Sequence, residues 1–115
     1  MKYFEIYKNK TILITGGAGA IGSNLSRKLA ECGAEKVIIL DDLSASYEWN
    51  VPNLPNVLFV KGSITNDIDL KRVFHEKPDY IFHLAAFFAN QNSVDYPEKD
   101  LLVSQLGTIK MLEHA

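Results

Sequence analysis

The stretch that decides the fold of this chain is TGGAGAIG, at positions 15–22. An apolar run, TILI at positions 11–14, comes directly before it, and a helical pattern of apolar residues follows it. Three of its glycines have separate tasks. Gly16 permits a tight turn from strand to helix, Gly19 lets the backbone approach a ligand, and Gly22 lets the helix pack closely on a sheet. The stretch therefore predicts a strand, a glycine-rich turn and a helix.

A second apolar run, VIIL at positions 37–40, ends in Asp41, about 20 residues after the glycines. This order of elements, with an acid at the end of the second strand, is the fingerprint of dinucleotide binding. The free N–H groups of the helix start would face the pyrophosphate, and the Asp41 carboxylate would accept hydrogen bonds from ribose hydroxyls. Because that charge repels a 2′-phosphate, the sequence favours NAD over NADP. The alternative is a purely structural glycine turn, with Asp41 and Asp42 as solvated loop acids.

Strands and helices alternate along the whole chain, which predicts an α/β fold. The predicted strands are residues 10–15, 36–40, 57–60 and 80–84, and the predicted helices are residues 20–32, 67–75 and about 96 to the end. Right-handed crossovers then give a three-layer Rossmann-type parallel sheet of order 3-2-1-4, with helices on both faces and an incomplete strand-4 side. Ligand would bind at the carboxyl ends of the strands.

Apolar spacing also predicts which helix faces are apolar. The first helix should bury a stripe formed by Ile21, Leu25 and Leu29. The last helix should present an apolar face formed by Leu102, Leu106, Ile109 and Leu112.

Composition restricts the other possibilities. A length of 115 residues without a linker or repeat predicts one domain, residues 1–115, and a net charge of −2 gives no general attraction to nucleic acid or anionic membranes. No apolar run reaches the ~20 residues that span a bilayer. The single cysteine, Cys32, cannot form an internal disulfide, which is typical of the cytoplasm. We therefore expect a cytoplasmic protein with neither nucleic-acid nor membrane partners.

Four motifs resemble those of the extended short-chain dehydrogenases/reductases. They are TGGxGxIG at positions 15–22, DDLS at 41–44, HLAA at 83–86 and GT at 107–108. The chain is most similar to the NAD-dependent epimerase/dehydratase group, of which UDP-glucose 4-epimerase is typical, and only to that family's N-terminal part. The resemblance implies bound NAD, a nucleotide-sugar substrate, and a hydride moving between a sugar carbon and the nicotinamide, as in an isomerase or oxidoreductase. It also implies a homo-oligomer.

The resemblance assigns cofactor contacts to the matching positions. Those for the pyrophosphate are Gly16, Gly19, Ala20, Ile21 and Gly22; those for the adenosine are Asp41, Asp42, Leu43 and Ser44; those near the nicotinamide half are Leu84, Ala85 and Ala86. By its place after the third strand, the Ser63-Ile64 pair would meet adenine, unless it forms an ordinary strand-end turn. The family usually has an acid at position 63 and an asparagine at position 104, where this chain has serines.

Catalytic residues and metal ligands are not predicted in this sequence. Family catalysis needs a Tyr-x-x-x-Lys pair, and the residues four positions after the tyrosines are Tyr7, Thr11, Val51, Leu84 and Asp100. We therefore expect this chain alone to be inactive. Two hypotheses remain: the N-terminal portion of an epimerase or dehydratase, or a complete non-catalytic NAD-binding or interaction module. His83 ends a buried strand, and a packed histidine is expected there rather than a catalytic one.

Overall fold

The computed structural model describes residues 2–44, 46–85 and 106–115. In these ranges strands and helices alternate as predicted. The strands are β1 (Thr11–Thr15), β2 (Lys36–Asp41), β3 (Val57–Lys61) and β4 (Tyr80–His83), and the helices are α1 (Ala20–Glu31), α2 (Asp67–Phe74) and α3 (Gly107–His114). Two short 3-10 helices, Lys2–Tyr7 and Glu48–Asn50, complete the described secondary structure.

The described strands form one parallel sheet of order β3-β2-β1-β4. This order confirms the prediction. The chain crosses from β1 outward to β3 and then returns to the other side of β1 to form β4. The carboxyl ends of β1 and β4 therefore meet at the position where the strand order reverses, which is where open α/β sheets bind ligands.

Two apolar clusters cover the two faces of the sheet, because successive side chains of a strand point to opposite sides. One cluster packs Leu13, Ile38 and Leu40 against Leu70 of α2 and Met111 of α3. The other packs Ile12, Ile14, Val37 and Ile39 against Leu29 and Ala30 of α1. Burial of each fully buried aliphatic side chain contributes about 1.5–3 kcal/mol to the stability of the fold. This burial holds the strand ends in place for the loops that follow them.

The buried face of α1 differs from the predicted one. Ile21 was expected in the buried stripe, but 76% of it is exposed. The helix instead packs through Gly22, Ser26, Leu29 and Ala30. The reason is the close approach of the helix to the preceding turn, since a Cβ on Gly22 would lie 2.3 Å from the carbonyl oxygen of Gly16. Only a glycine fits there, and this contact turns Ile21 away from the sheet.

In the described part of the last helix, Gly107 and Met111 face the core. Two residues of the predicted apolar face lie at the surface, with 52% of Ile109 and 73% of Leu112 exposed. The predicted helix start at about residue 96, and Leu102, lie outside the described residues. None of the helices in the described ranges is long and apolar enough to cross a membrane.

Candidate functional site

A cavity of about 380 Å³ opens at the carboxyl edge of the sheet, where β1 and β4 meet. It is formed by the residues that follow the four strands. Its lining consists of Gly16, Gly19, Ala20, Ile21, Gly22, Leu40, Asp41, Asp42, Ser44, Ser46, Gly62, Ser63, Ile64, Leu84 and Ala85. The structure thus brings most of the predicted cofactor-binding residues together in one cavity. Ala86 lies outside the described residues.

The turn after β1 needs its first glycine. Gly16 has a φ of +73°, a conformation that L side chains rarely adopt. A Cβ at this position would also lie 2.9 Å from the backbone nitrogen of Ala85. The turn is fastened to β2 by a hydrogen bond from Gly16 N–H to the carbonyl oxygen of Leu40, at 2.8 Å. The backbone therefore reverses directly beside the end of β4.

Gly19 is different, because its φ of −74° is open to any residue. Among the described residues beyond its chain neighbours, a Cβ built on it would meet one atom within 4 Å, the carbonyl oxygen of Gly16, at 3.3 Å. A side chain there would project into the cavity instead of into the protein. Gly19 is also the N-cap of α1 and makes no side-chain cap hydrogen bond, and the first turn carries no acid. The positive end of the helix thus faces the cavity without an acidic side chain in its own first turn.

Asp41 binds the glycine turn as well as facing the cavity. Its Oδ2 accepts the backbone N–H of Ala18 at 3.0 Å, and its Oδ1 accepts that of Leu43 at 2.8 Å. The Ser46 hydroxyl lies 3.2 Å from both oxygens and donates to them. Because an ionised carboxylate has about four acceptor positions, Asp41 keeps capacity for further donors from the cavity. It is therefore both an anchor of the turn and a candidate ligand group.

Sequence reasoning missed Ser46 and Asn50. Both lie in the loop after β2, which was interpreted only as a connection. The Asn50 side-chain amide donates to the carbonyl oxygen of Ala18 at 3.1 Å, so this loop holds the glycine turn from a second side. A polar residue within a few positions of a strand-end acid is the sequence signal that could have indicated Ser46.

Of the predicted site residues that the structure describes, Leu43 does not line the cavity. Its φ of +63° bends the chain after β2 so that its own N–H reaches Asp41. Leu43 therefore contributes its backbone to the site. Its neighbours Asp42 and Ser44 do line the cavity, and Asp42 Oδ1 accepts the N–H of Ser44 at 2.9 Å.

The loop after β3 forms another part of the cavity wall. The Ser63 hydroxyl lies 2.7 Å from Thr65 Oγ1, and the Ser63 N–H donates to Asp69 at 3.0 Å. Ile64 is almost fully buried, and it lines the cavity while also packing against α3. This wall is mostly apolar, with one hydroxyl at its edge.

His83 is packed, as expected, and both of its ring nitrogens have partners. Nδ1 lies 2.7 Å from Thr15 Oγ1, and Nε2 lies 3.0 Å from Thr108 Oγ1. Burial lowers the pKa of His83 from its usual value. Among the described residues, no group of three His, Cys, Asp or Glu side chains could hold a metal ion.

Comparison with known proteins identifies the family of this fold and cavity. A sequence model of the GDP-mannose 4,6 dehydratase family matches residues 13–115. The chain belongs to this family. The match includes both the glycine turn and the carboxyl ends of all four strands, so the cavity is built from family sequence throughout.

Individual relatives support the same assignment. The UDP-glucose 4-epimerase of Mycolicibacterium smegmatis is 42% identical over 90% of this chain and 34% of its own length. The structure of the epimerase Mth375 from Methanothermobacter thermautotrophicus matches with a TM-score of 0.97 and 63% identity, over 100% of this chain and 34% of that one. The Bordetella bronchiseptica enzyme WbmF, solved with NAD⁺, matches with a TM-score of 0.90 and 37% identity, over 96% and 33%. The chain therefore spans about a third of the length of the relatives it matches.

Proposed function

We propose that this chain is the NAD-binding portion of a nucleotide-sugar epimerase or dehydratase. The observation that carries the proposal is the cavity at the carboxyl edge of the sheet, where an uncapped helix start faces the carboxylate of Asp41. The helix start suits a pyrophosphate, and the carboxylate of Asp41 suits a ribose. Relatives of this chain include enzymes solved with NAD⁺ and, in two cases, with NAD and UDP.

The cavity fits a dinucleotide in its shape as well as its polarity. Gly19 leaves open the space that a side chain would fill. Two apolar side chains on the cavity wall, Ile21 and Leu84, are exposed in the described structure, and a bound ligand would cover them. In this placement the start of α1 holds the pyrophosphate, Asp41 the adenosine ribose, Ser63 and Ile64 the adenine, and Ala85 the nicotinamide side.

The charge of the cavity supports NAD rather than NADP. Asp41 and Asp42 are both on the lining, and no lysine or arginine is among the described lining residues. A 2′-phosphate would face these carboxylates without a counter-charge, which is unfavourable.

Bound NAD supplies a hydride acceptor or donor, and the residues of this chain hold it in place. None of the five tyrosines is followed four residues later by lysine. We therefore assign the reaction on the sugar to the whole protein of which these residues would be part. Intact mass measurement of the natural gene product tests this assignment. A mass several times 12.9 kDa supports it, and a mass of 12.9 kDa favours the non-catalytic module.

Isothermal titration calorimetry of the chain with NAD⁺ and NADP⁺ is the direct test of cofactor binding. We expect measurable binding of NAD⁺ and weaker binding of NADP⁺. Gly19→Ala should keep the fold, because its backbone conformation is ordinary and its Cβ has only one close neighbour. Its methyl group should reduce NAD⁺ affinity by about tenfold or more.

Ser23→Ala is the matched control for this variant. Ser23 lies on the same helix turn but does not line the cavity. Within the described part of the chain its hydroxyl donates one hydrogen bond, to the carbonyl oxygen of Ala20 at 3.4 Å. It should bind NAD⁺ like the wild type. If wild type binds neither dinucleotide, or Gly19→Ala binds as tightly as Ser23→Ala, the proposed placement is wrong.

The exposed apolar surface on α2 and α3 supports self-association. Ile68 on α2 and Ile109 and Leu112 on α3 are all more than half exposed, and the two helices contact each other. Apolar side chains that together form a large exposed patch mark contact surfaces. We therefore include a homo-oligomer in the proposal. Sedimentation at micromolar concentration should show a species larger than a monomer, and a monomer would contradict this part.

A further inference from the structure

The His83 ring joins two parts of the molecule. Through Nδ1 it contacts Thr15 on β1, and through Nε2 it contacts Thr108 on α3. Thr15 Oγ1 also accepts the backbone N–H of Ala85, at 3.2 Å. A continuous path of hydrogen bonds therefore runs from the cavity-lining backbone, through the ring, to the last helix.

The hydrogen bonds of Thr15 determine which ring nitrogen carries the hydrogen. Thr15 is fully buried. Because a backbone N–H is a donor, the Thr15 hydroxyl oxygen is the acceptor in its hydrogen bond with Ala85. Among the described residues, the other partner of that hydroxyl is His83 Nδ1, so the hydroxyl hydrogen points at Nδ1. The ring is then neutral and carries its hydrogen on Nε2, which donates to Thr108. The other tautomer, or a charged ring, would leave a buried hydroxyl hydrogen without a described acceptor.

Among the residues that the structure describes, no ion pair favours protonation of the ring. β1 has no titratable side chain. The titratable side chains on the other adjoining elements are Lys110, Glu113 and His114 on α3, and Tyr80 on β4 itself. Lys110 and His114 are directed at Asp67 of α2. Since no ion pair of His83 is found in the described residues, burial alone acts on the ring, and it lowers the pKa of His83 from 6.5.

We propose that neutral His83 is a positioning residue of the cofactor site, holding the Ala85 backbone through Thr15 and tying it to α3 through Thr108. The position of Ala85 matters because its nitrogen would lie only 2.9 Å from a Cβ on Gly16, directly beside the glycine turn. This inference rests on the proposed function, since bound NAD would be sensitive to that backbone. When His83 takes up a proton, Nδ1 becomes a donor and the Thr15 hydroxyl must rotate, since it then accepts from both the ring and the Ala85 N–H. This rotation shifts the Ala85 backbone, so cofactor affinity falls as His83 is protonated.

Two substitutions of His83 test its two hydrogen bonds separately. His83→Asn keeps an acceptor near the position of Nδ1, and His83→Gln keeps a donor near that of Nε2; neither titrates near neutral pH. Each loses one of the two hydrogen bonds, so NAD⁺ affinity at pH 8 should fall by about threefold to tenfold. Wild-type affinity should decrease as the pH is lowered from 7 to 5, whereas both variants should give flatter profiles. His75→Gln, at the exposed end of α2, is the control and should follow the wild type.

Nuclear magnetic resonance of ¹⁵N-labelled histidine tests the ring without any cofactor. At pH 7.5 we expect an unprotonated Nδ1 and a protonated Nε2, and the Ala85 amide shift should follow the titration of His83. An Nδ1–H tautomer, a charged ring at pH 7.5, or equal pH profiles for wild type and both variants would overturn the inference. If wild type binds no NAD⁺ at any pH, the proposed function is wrong. In that case the chemical shift of the Ala85 amide still tests the role of His83 without cofactor. A shift that does not change as His83 titrates would overturn the positioning role of His83.

Discussion

Replacing Asp41 by asparagine should destabilise the fold as well as weaken cofactor binding. The carboxylate accepts the N–H groups of Ala18 and Leu43 on different oxygens, and an asparagine has only one oxygen. The N–H that faces the new NH₂ group loses its acceptor, which costs about 1–3 kcal/mol, and the retained hydrogen bond loses its charge assistance, about 1 kcal/mol more. The free energy of unfolding should therefore fall by about 2–4 kcal/mol.

Thermal and urea unfolding of wild type and Asp41→Asn measure this loss without ligand. A loss of this size corresponds to a decrease of the unfolding temperature by about 10–20 °C. Asp42→Asn is the control, because Asp42 is exposed and, among the described residues, accepts one hydrogen bond, from the N–H of Ser44. Its free energy of unfolding should stay within about 0.5 kcal/mol of the wild-type value. Equal stabilities of wild type and Asp41→Asn would refute the anchoring role and leave Asp41 with a ligand contact only.

Three further predictions concern other parts of the fold. Gly22→Ala should lower the free energy of unfolding by about 3 kcal/mol or more, measured by urea unfolding, because its Cβ would lie 2.3 Å from the Gly16 carbonyl oxygen, a backbone atom. The fold should lose stability as the pH falls below 6.5, because burial lowers the folded-state pKa of His83 and the unfolded chain then binds more protons. Urea unfolding curves between pH 5 and 8 measure this loss, and His83→Gln should remove the part of it that is due to His83. Asp67→Asn should leave the unfolding temperature unchanged within error, because its pairs with Lys110 and His114 lie at the surface.

The sequence was sufficient to predict the architecture because the deciding signals are local. Glycines at positions 16, 19 and 22, apolar strands and the acid at position 41 fix where the chain turns, and the right-handed crossover rule then fixes the strand order. The family was predictable for the same reason, since its motifs lie in these turns. The position of the cavity at the carboxyl edge follows from the strand order.

Side-chain roles that depend on the distance between loops were not predictable. The prediction for Ile21 failed because apolar spacing favours large side chains on a buried face, whereas the close approach of α1 to the turn requires Gly22 there. The second role of Asp41 depends on Ala18 lying within 3.0 Å of it, and no local pattern encodes that distance. Ser46 and Asn50 were missed because a polar loop gives no periodic signal.

The contact between Ile64 and Gly107 restricts how this sequence can change. A Cβ at position 107 would lie 2.3 Å from the Cδ1 of Ile64, whose side chain also forms part of the cavity wall. A larger residue at position 107 therefore requires a smaller or displaced one at position 64, and that exchange alters the volume of the cavity beside Ile64. We expect the two positions to vary together among natural variants. A mutation on α3 can in this way change ligand selectivity through Ile64, without contacting the ligand itself.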